Sequence, residues 1–343
     1  MMKKMFAAIV ALVLMTTGLF SCAALAQEKK LSIVTTIFPL YDWIREIIGE
    51  NADHADITLL LDSGVDLHSY QPSAQDILKI SSADLFVYVG GESDAWVEDV
   101  LKTAMNGRLT AVSLVEAMGE RIKAEEIVEG MEHEHEHDHD HDEDHDHDED
   151  HDHDHDEDHD HEHEEEADEH VWLSLRNAQH LVAVLADALA GLDADHAALY
   201  QANAASYSEK LAALDAEYAV AVENAAYKTL LFGDRFPFRY LADDYGLTYF
   251  AAFSGCSAES EASFQTIVFL AQKVDELGLP AVLTIENPKT RIAETIVSTT
   301  KAKNQKILSM DSMQGTTTRD IQAGATYLGI MESNLQVLID ALN

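Results

Sequence analysis

The chain has 343 residues, of which 47% are hydrophobic, and this is enough for a packed core in each of about two domains. Its formal net charge of −41 excludes nucleic acid and an anionic membrane surface as partners.

The N-terminus has the organisation of a secretion signal. Two lysines precede an apolar run over residues 6–20, which is shorter than the roughly 20 residues of a membrane span. Two processing sites are open: ordinary cleavage of a signal peptide of residues 1–26, or a lipoprotein signal that ends at 21 and leaves Cys22 to carry the lipid. Either site predicts a mature protein outside the cytoplasm, in the periplasm or on the outer face of the membrane. Because Cys22 belongs to the signal region, Cys256 has no disulfide partner in the mature chain.

Strand and helix patterns then alternate through an N-terminal lobe, predicted over residues 27–175. Apolar and β-branched runs predict strands at 31–36, 57–61, 85–89 and 109–112, and 3.6-residue apolar spacing predicts helices at 40–48, 73–81 and 96–104. This alternation predicts a parallel sheet that is covered by helices on both faces.

An acidic histidine tract interrupts this lobe. From Glu132 to Glu166 every residue is His, Asp or Glu, with 13 histidines among 22 acids. A segment without apolar residues cannot bury surface, so we expect it to be disordered without metal. Imidazole and carboxylate bind zinc, so the tract is predicted to be an auxiliary loop of weak metal sites, the alternative being a solvated charge run. The histidines of the tract are His133, His135, His137, His139, His141, His145, His147, His151, His153, His155, His159, His161 and His163.

Linking helices are predicted over residues 176–226, at 177–189 and 196–224. The second is free of Gly and Pro, and at about 1.5 Å per residue it would span roughly 43 Å. It is long enough to be a rigid strut between two lobes; the alternative is an ordinary packed helix or a helical hairpin.

The C-terminal lobe, residues 227–343, shows the same strand-helix rhythm without a repeat that can be aligned. Its strands are predicted at 229–232, 248–253, 281–285 and 306–310, and its helices at 238–244, 263–277, 289–301 and 325–342. The predicted fold class is therefore α/β, with two lobes that are each a parallel sheet flanked by helices, joined by one long rigid helix.

Four polar residues occupy positions that suit a metal site. His68 follows strand 57–61, His170 directly follows the tract, and Asp234 and Asp311 follow strands of the second lobe. Ligands collect at the carboxyl ends of parallel strands, so these side chains would form a closed site between the lobes with two nitrogen and two oxygen donors. Each also has an ordinary explanation, as a structural loop histidine or as an aspartate that caps a helix or orders a turn.

Glu286 and Cys256 also lie near predicted strand ends. Glu286 is the reserve oxygen ligand, whereas Cys256 is interpreted as a structural residue although a thiolate would bind zinc well. A closed site leaves no position for an activated water, and the chain lacks His-Glu-x-x-His and a nucleophile with a paired base. We therefore predict a binding protein and not an enzyme.

Five segments together resemble the zinc and manganese solute-binding proteins of ABC transporters. They are Ile33-Val-Thr-Thr-Ile-Phe-Pro39, Gly64-Val-Asp-Leu-His-Ser-Tyr-Gln-Pro-Ser73, Ala83-Asp-Leu-Phe-Val-Tyr-Val-Gly90, the acidic histidine tract, and Asp168-Glu-His-Val-Trp-Leu-Ser174. The last segment, placed directly after a His-rich insert, is similar to the zinc branch in particular.

The resemblance implies two α/β lobes with metal between them, and it carries ligand roles to His68, His170, Asp234 at the third position and Asp311 at the fourth. Zinc relatives commonly have His at the third position, so Asp234 makes the site richer in oxygen and keeps Mn²⁺ open beside Zn²⁺ as the transported ligand. It further implies a monomer that delivers its metal to a membrane permease. The alternatives are a metal buffer that uses only the tract, and an adhesin.

Overall fold

The computed structural model describes residues 30–49, 52–131, 166–257, 261–286 and 290–343, and residues 31–343 form one compact unit. The predicted signal peptide, with Cys22, and the thirteen tract histidines lie outside the described residues.

The first half of this unit is built on one parallel sheet. Its elements in chain order are β1 (Leu31–Thr35), α1 (Phe38–Ile48), β2 (Ala55–Leu59), α2 (Ala74–Ser82), β3 (Leu85–Tyr88), α3 (Trp96–Lys102), β4 (Thr110–Ser113) and α4 (Leu114–Met118). The strands pair in the order β2-β1-β3-β4, all parallel. The central strands are short apolar runs buried on both faces, as a sheet with helices on both faces requires.

Two helices, α5 (Leu175–Leu192) and α6 (Ala197–Asn224), connect the halves. The buried residues of α6 recur every three or four positions and form one stripe: Tyr200, Ala204, Tyr207, Leu211, Leu214, Tyr218 and Val222. Near one end of the stripe the Asn203 amide donates to the Ile47 carbonyl at 3.0 Å, and near the other the Tyr218 hydroxyl donates to the Met331 carbonyl at 2.7 Å. The long helix is therefore fixed at both ends and packs on both halves of the fold.

The second half is built on another parallel sheet. Its elements are β5 (Thr229–Arg235), α7 (Arg239–Tyr245), β6 (Thr248–Phe253), α8 (Phe264–Leu277), β7 (Ala281–Thr284), α9 (Arg291–Thr299), β8 (Lys306–Ser309), α10 (Thr318–Gln322) and α11 (Tyr327–Ala341). The strand order is β6-β5-β7-β8, which is the order of the first sheet repeated. The halves thus share a topology although their sequences do not align.

One hydrophobic core runs through both halves, and a smaller cluster lies between the second sheet and helices α8 and α9. Buried polar contacts tie the C-terminal helix into the large core. The Tyr327 hydroxyl donates to the Trp172 carbonyl at 2.6 Å, and its backbone N–H donates to Asp42 at 2.8 Å. The Trp172 indole in turn donates to the Ser312 carbonyl at 2.9 Å. The two halves are therefore packed as one body and not only tethered by a helix.

The predicted fold class is confirmed: two parallel four-stranded sheets flanked by helices, with one long connecting helix. The lobe boundaries at 175 and 227 remain predictions. Among the described residues, none of the helices has the length and apolar character of a membrane span.

Candidate metal centre

His68 lies beyond the carboxyl end of β2, in a short 3-10 turn, Leu67–Ser69, that Asp66 caps. The Asp66 carboxylate accepts the His68 backbone N–H at 3.0 Å. The ring Nδ1 lies 2.7 Å from the Ser93 hydroxyl and 3.8 Å from the Glu169 carboxylate. The ring is thereby oriented with Nε2 as its free nitrogen.

His170 is fully buried and lies just before the 3-10 turn Val171–Leu173. One oxygen of Asp168 lies 3.0 Å from its Nδ1 and also accepts its backbone N–H at 2.9 Å. Because a carboxylate oxygen accepts, Nδ1 carries the proton and Nε2 the lone pair. This carboxylate–imidazole pairing is the usual support of a metal-binding histidine.

The two free nitrogens face each other, with the Nε2 atoms of His68 and His170 3.2 Å apart. Zinc binds imidazole at about 2.0–2.1 Å, so two nitrogens of a tetrahedral site lie roughly 3.3 Å apart. The pair is therefore spaced for one zinc ion. Burial and the neighbouring His170 lower the pKa of His68 to about 3, which keeps this ring neutral, as a metal ligand must be.

Cys256 joins the two histidines from the second half of the fold. One donor atom from each of His68, His170 and Cys256 lies within 4.8 Å of the others. Cys256 lies in the loop that follows β6, where its backbone N–H donates to the Glu125 carboxylate at 2.8 Å. Burial and nearby carboxylates raise the pKa of its thiol. The sequence-based interpretation of Cys256 as a purely structural residue did not anticipate this position.

Asp234 lies near the end of β5 and is not part of this group. Its carboxylate accepts the backbone N–H groups of Arg235 at 2.9 Å and Ile285 at 3.4 Å, and burial raises its pKa. The next side chain, Arg235, pairs with Asp66 at 2.5 Å and donates to the Ser257 carbonyl at 3.3 Å. A guanidinium from the second sheet therefore contacts the loop that carries His68.

Asp311 and Glu286 lie at the carboxyl edge of the same sheet, also outside the donor group. Asp311 accepts the Met313 backbone N–H at 2.7 Å, and Glu286 accepts the hydroxyl and the backbone N–H of Ser312, each at 2.7 Å. Burial and the charge of Glu286 raise the pKa of Asp311 to about 6. The structure thus brings two of the four predicted ligands together, and it leaves Asp234, Glu286 and Asp311 outside that donor group.

A cavity of about 270 Å³ adjoins the donor group and is lined by His68 and Cys256. Four glutamates also line it: Glu92, Glu125, Glu166 and Glu169. Glu166 is the last residue of the tract and is described by the structure, and its carbonyl accepts the Glu125 backbone N–H at 2.7 Å. The end of the tract therefore lies at an acidic cavity that reaches His68.

A second set of donors, His54, Asp193 and His196, lies where α5 meets α6. The imidazole rings of His54 and His196 are stacked, with centroids 3.9 Å apart and planes 9° apart. A metal in the plane of one ring would lie outside the plane of the other, so this arrangement does not suit ligation by both. Hydrogen bonds instead join the set: Tyr200 donates to Asp193 at 2.8 Å and contacts His54 at 2.9 Å.

Comparison with known proteins identifies the family. Residues 33–341 match the sequence model of the ZnuA family, whose description is zinc-uptake complex component A, periplasmic. The chain belongs to the ZnuA family. This confirms the family that the sequence segments suggested.

Individual relatives agree with this family. The chain is 30% identical over 317 residues to zinc-binding protein AdcA of Streptococcus pyogenes. The aligned region covers 91% of this chain and 56% of AdcA. It is also 30% identical to the high-affinity zinc uptake system protein ZnuA of Bacillus subtilis, over 92% of this chain and 89% of that protein. Among solved structures, the Zn(II)-bound ZnuA-like domain of Streptococcus pneumoniae AdcA is 28% identical, with a TM-score of 0.67, and the match covers 91% and 99% of the two chains. The chain spans about half the length of the first of these curated relatives.

Proposed function

We propose that this ZnuA-family chain captures zinc outside the cytoplasm and delivers it to a membrane permease, as the solute-binding component of an ABC transporter. The observation that carries the proposal is the histidine pair, with Nε2 atoms 3.2 Å apart and both outer nitrogens held by partners. The names of the relatives, zinc-binding protein AdcA and high-affinity zinc uptake system protein ZnuA, support zinc as the cargo.

In this proposal His68 and His170 bind the metal directly. Imidazole donors favour zinc over manganese, which prefers carboxylate oxygens. Asp234 and Asp311, with Glu286 in reserve, remain the proposed oxygen donors of the second half. Each of their carboxylates is held by backbone N–H groups, so coordination would require one of these hydrogen bonds to be exchanged for the metal.

The tract and the leader have accessory roles in the proposal. The tract collects metal ions weakly, and its last residue, Glu166, lines the acidic cavity together with Glu125. The leader exports the chain, and Cys22 carries a lipid anchor if the lipoprotein signal is the one processed. A monomer that docks on the permease is the proposed working form.

The test is competitive calorimetry with zinc and manganese. It uses the mature chain, the same chain with residues 132–165 replaced by a short Gly/Ser linker, and His68→Ala in that shortened background. His180→Ala is the matched control, since His180 bonds to the Ala117 carbonyl at 3.0 Å and is not in the donor group.

We expect the shortened chain to keep one submicromolar zinc site that His68→Ala removes and His180→Ala retains. Manganese winning at that site would change the cargo within the same transport role. A shortened chain that binds neither metal would overturn the interlobe site and leave the tract as a metal buffer.

A further inference from the structure

We propose that the Cys256 thiolate is the third protein ligand of the zinc centre and the direct contribution of the second sheet to it. The inference rests on the proposed function, because it adds a ligand to the same centre. Its distinguishing observation is that Cys256, and neither predicted aspartate, shares the 4.8 Å donor group with the two histidines.

The spacing of the three donors is compatible with a zinc site. Tetrahedral zinc with Zn–N of about 2.0–2.1 Å and Zn–S of about 2.3 Å places its ligand atoms roughly 3.3–3.6 Å apart. The two Nε2 atoms lie 3.2 Å apart, and the sulfur lies within 4.8 Å of one nitrogen of each ring. A side-chain adjustment of about an ångström is therefore enough to complete three corners of the tetrahedron.

The loop that carries Cys256 is shaped to approach His170. A Cβ on Gly255 would lie 3.1 Å from the imidazole of His170 and 3.0 Å from the Phe236 carbonyl. Glycine therefore allows the loop to lie directly against the ring, and the next residue is the cysteine. Glu125 fixes the loop by accepting the Cys256 backbone N–H at 2.8 Å.

Charge explains why the thiol suits this position. Cys256 lines the same cavity as Glu125 and Glu169, so the thiol lies among carboxylates that attract a cation. A thiol that coordinates a dication gives up its proton outright. The S–H bond breaks, the S–Zn bond forms, and the proton leaves to solvent, with no change of oxidation state.

The neighbouring residues explain why we assign the third position to Cys256 and why Asp234 would join the centre only after its hydrogen bonds are exchanged. Its carboxylate is held by two backbone N–H groups, and the adjacent Arg235 guanidinium reaches across to Asp66 beside His68. The positive charge of the Arg235 guanidinium disfavours a metal cation beside Asp234. Neither lysine nor arginine is among the described residues that line the cavity beside Cys256, although Arg235 contacts this loop through the Ser257 carbonyl at 3.3 Å.

A thiolate ligand also gives selectivity. Soft sulfur ligands favour zinc, whereas manganese prefers oxygen ligands. With aspartate as the third donor, the site would be rich in oxygen and would suit either metal. With Cys256 as the third donor, the site has two nitrogens and one sulfur, which selects zinc.

The test uses Co²⁺ as a spectroscopic probe in the chain whose tract is replaced, with Cys256→Ser, Asp234→Asn and His68→Ala variants. We expect cobalt to give a thiolate-to-metal charge-transfer band in the near ultraviolet that Cys256→Ser abolishes and Asp234→Asn retains. Zinc affinity should fall more than about 100-fold in Cys256→Ser, beyond the roughly 10–100-fold typical of losing an outer-shell partner.

Two failures are distinguishable. If wild-type cobalt protein lacks the band while His68→Ala still abolishes binding, the capture function stands and the cysteine assignment is overturned. If His68→Ala leaves the tight site intact, the centre itself is misplaced and both proposals are overturned.

Discussion

Asp168 holds His170 through its ring and through its backbone, at 3.0 and 2.9 Å. Asp168→Asn keeps an oxygen that accepts both bonds but removes the negative charge that makes the imidazole a better ligand. We expect zinc affinity to fall roughly 10–100-fold while the folded structure is retained. Competition against a chromophoric chelator measures this. Asp243→Asn, which removes a surface carboxylate paired with Lys123, is the control and should leave the affinity unchanged.

Asp42 is a buried carboxylate far from these histidines in sequence, and it accepts the Tyr327 backbone N–H at 2.8 Å. Burial raises its pKa to about 6 from 3.8, so the folded state holds this proton more tightly than the unfolded chain. The ionised form is therefore destabilising in the folded state, and its cost grows as pH rises from about 4 to 7, reaching about 3 kcal/mol.

Asp42→Asn should remove this pH dependence while it keeps the acceptor for Tyr327. We expect the free energy of unfolding of the native chain, relative to the variant, to fall by about 2 kcal/mol between pH 4 and pH 7. Urea titrations at the two pH values measure the difference. A gap that stays constant with pH would mean that Asp42 has an ordinary pKa, held down by Arg45 at 2.6 Å.

The residues of the donor group were only partly predictable from the sequence, and their role as ligands remains a prediction. His68 and His170 stand out because one follows a strand and the other follows the tract. Cys256 does not, since its approach to His170 depends on how the second half packs on the first, which no local pattern encodes. The placement of Asp234 is decided by its neighbours, because backbone N–H groups occupy its oxygens and Arg235 pairs across the halves.

At the scale of elements, the sequence predicted each of the eight strands in the described part of the chain, because short apolar runs between helices are typical of parallel sheets. Helices α4 and α10 were missed because five residues are too few to show a 3.6-residue period. The start of α10 carries a readable signal: Thr317 and Asp320 form a capping box. The identical strand order of the two sheets could not be predicted, since pairing depends on contacts between distant segments.

The loop after β6 offers a test of its close approach to His170. Gly255→Ala places a methyl group 3.1 Å from that ring and 3.0 Å from a carbonyl, so the loop or the ring must shift by a few tenths of an ångström. We expect a stability loss of about 1–3 kcal/mol and weaker zinc binding. Thermal unfolding and zinc titration measure the two effects.

Gly191→Ala is the matched control for this change. Gly191 lies in α5 with no atom within 4 Å of an added Cβ, so the substitution should be tolerated and should add up to about 1 kcal/mol of helix stability. If Gly255→Ala leaves stability and zinc binding unchanged, as expected for this control, the loop can accommodate a methyl group and its close contact with His170 is not required for either property.

At the scale of the whole molecule, the donor group draws its residues from three places: His68 beyond the first sheet, His170 between the halves, and Cys256 beyond the second sheet. Both halves already share one hydrophobic core, and α6 is fixed to each. Metal binding therefore has little domain closure to drive, and we expect loaded and empty forms to differ by loop shifts at the centre.

A continuous core also predicts how the molecule unfolds. In the chain with the tract replaced, we expect one calorimetric transition whose measured enthalpy equals the van't Hoff enthalpy, because neither half can expose its share of the core alone. Zinc binds only the folded centre, so free zinc at 100 times Kd should stabilise that single transition by about 2.7 kcal/mol. His68→Ala should keep the single transition and lose the zinc effect. Two separate transitions in the metal-free chain would show that the halves fold independently, whereas a zinc shift that survives in His68→Ala would place the stabilising metal at another set of donors.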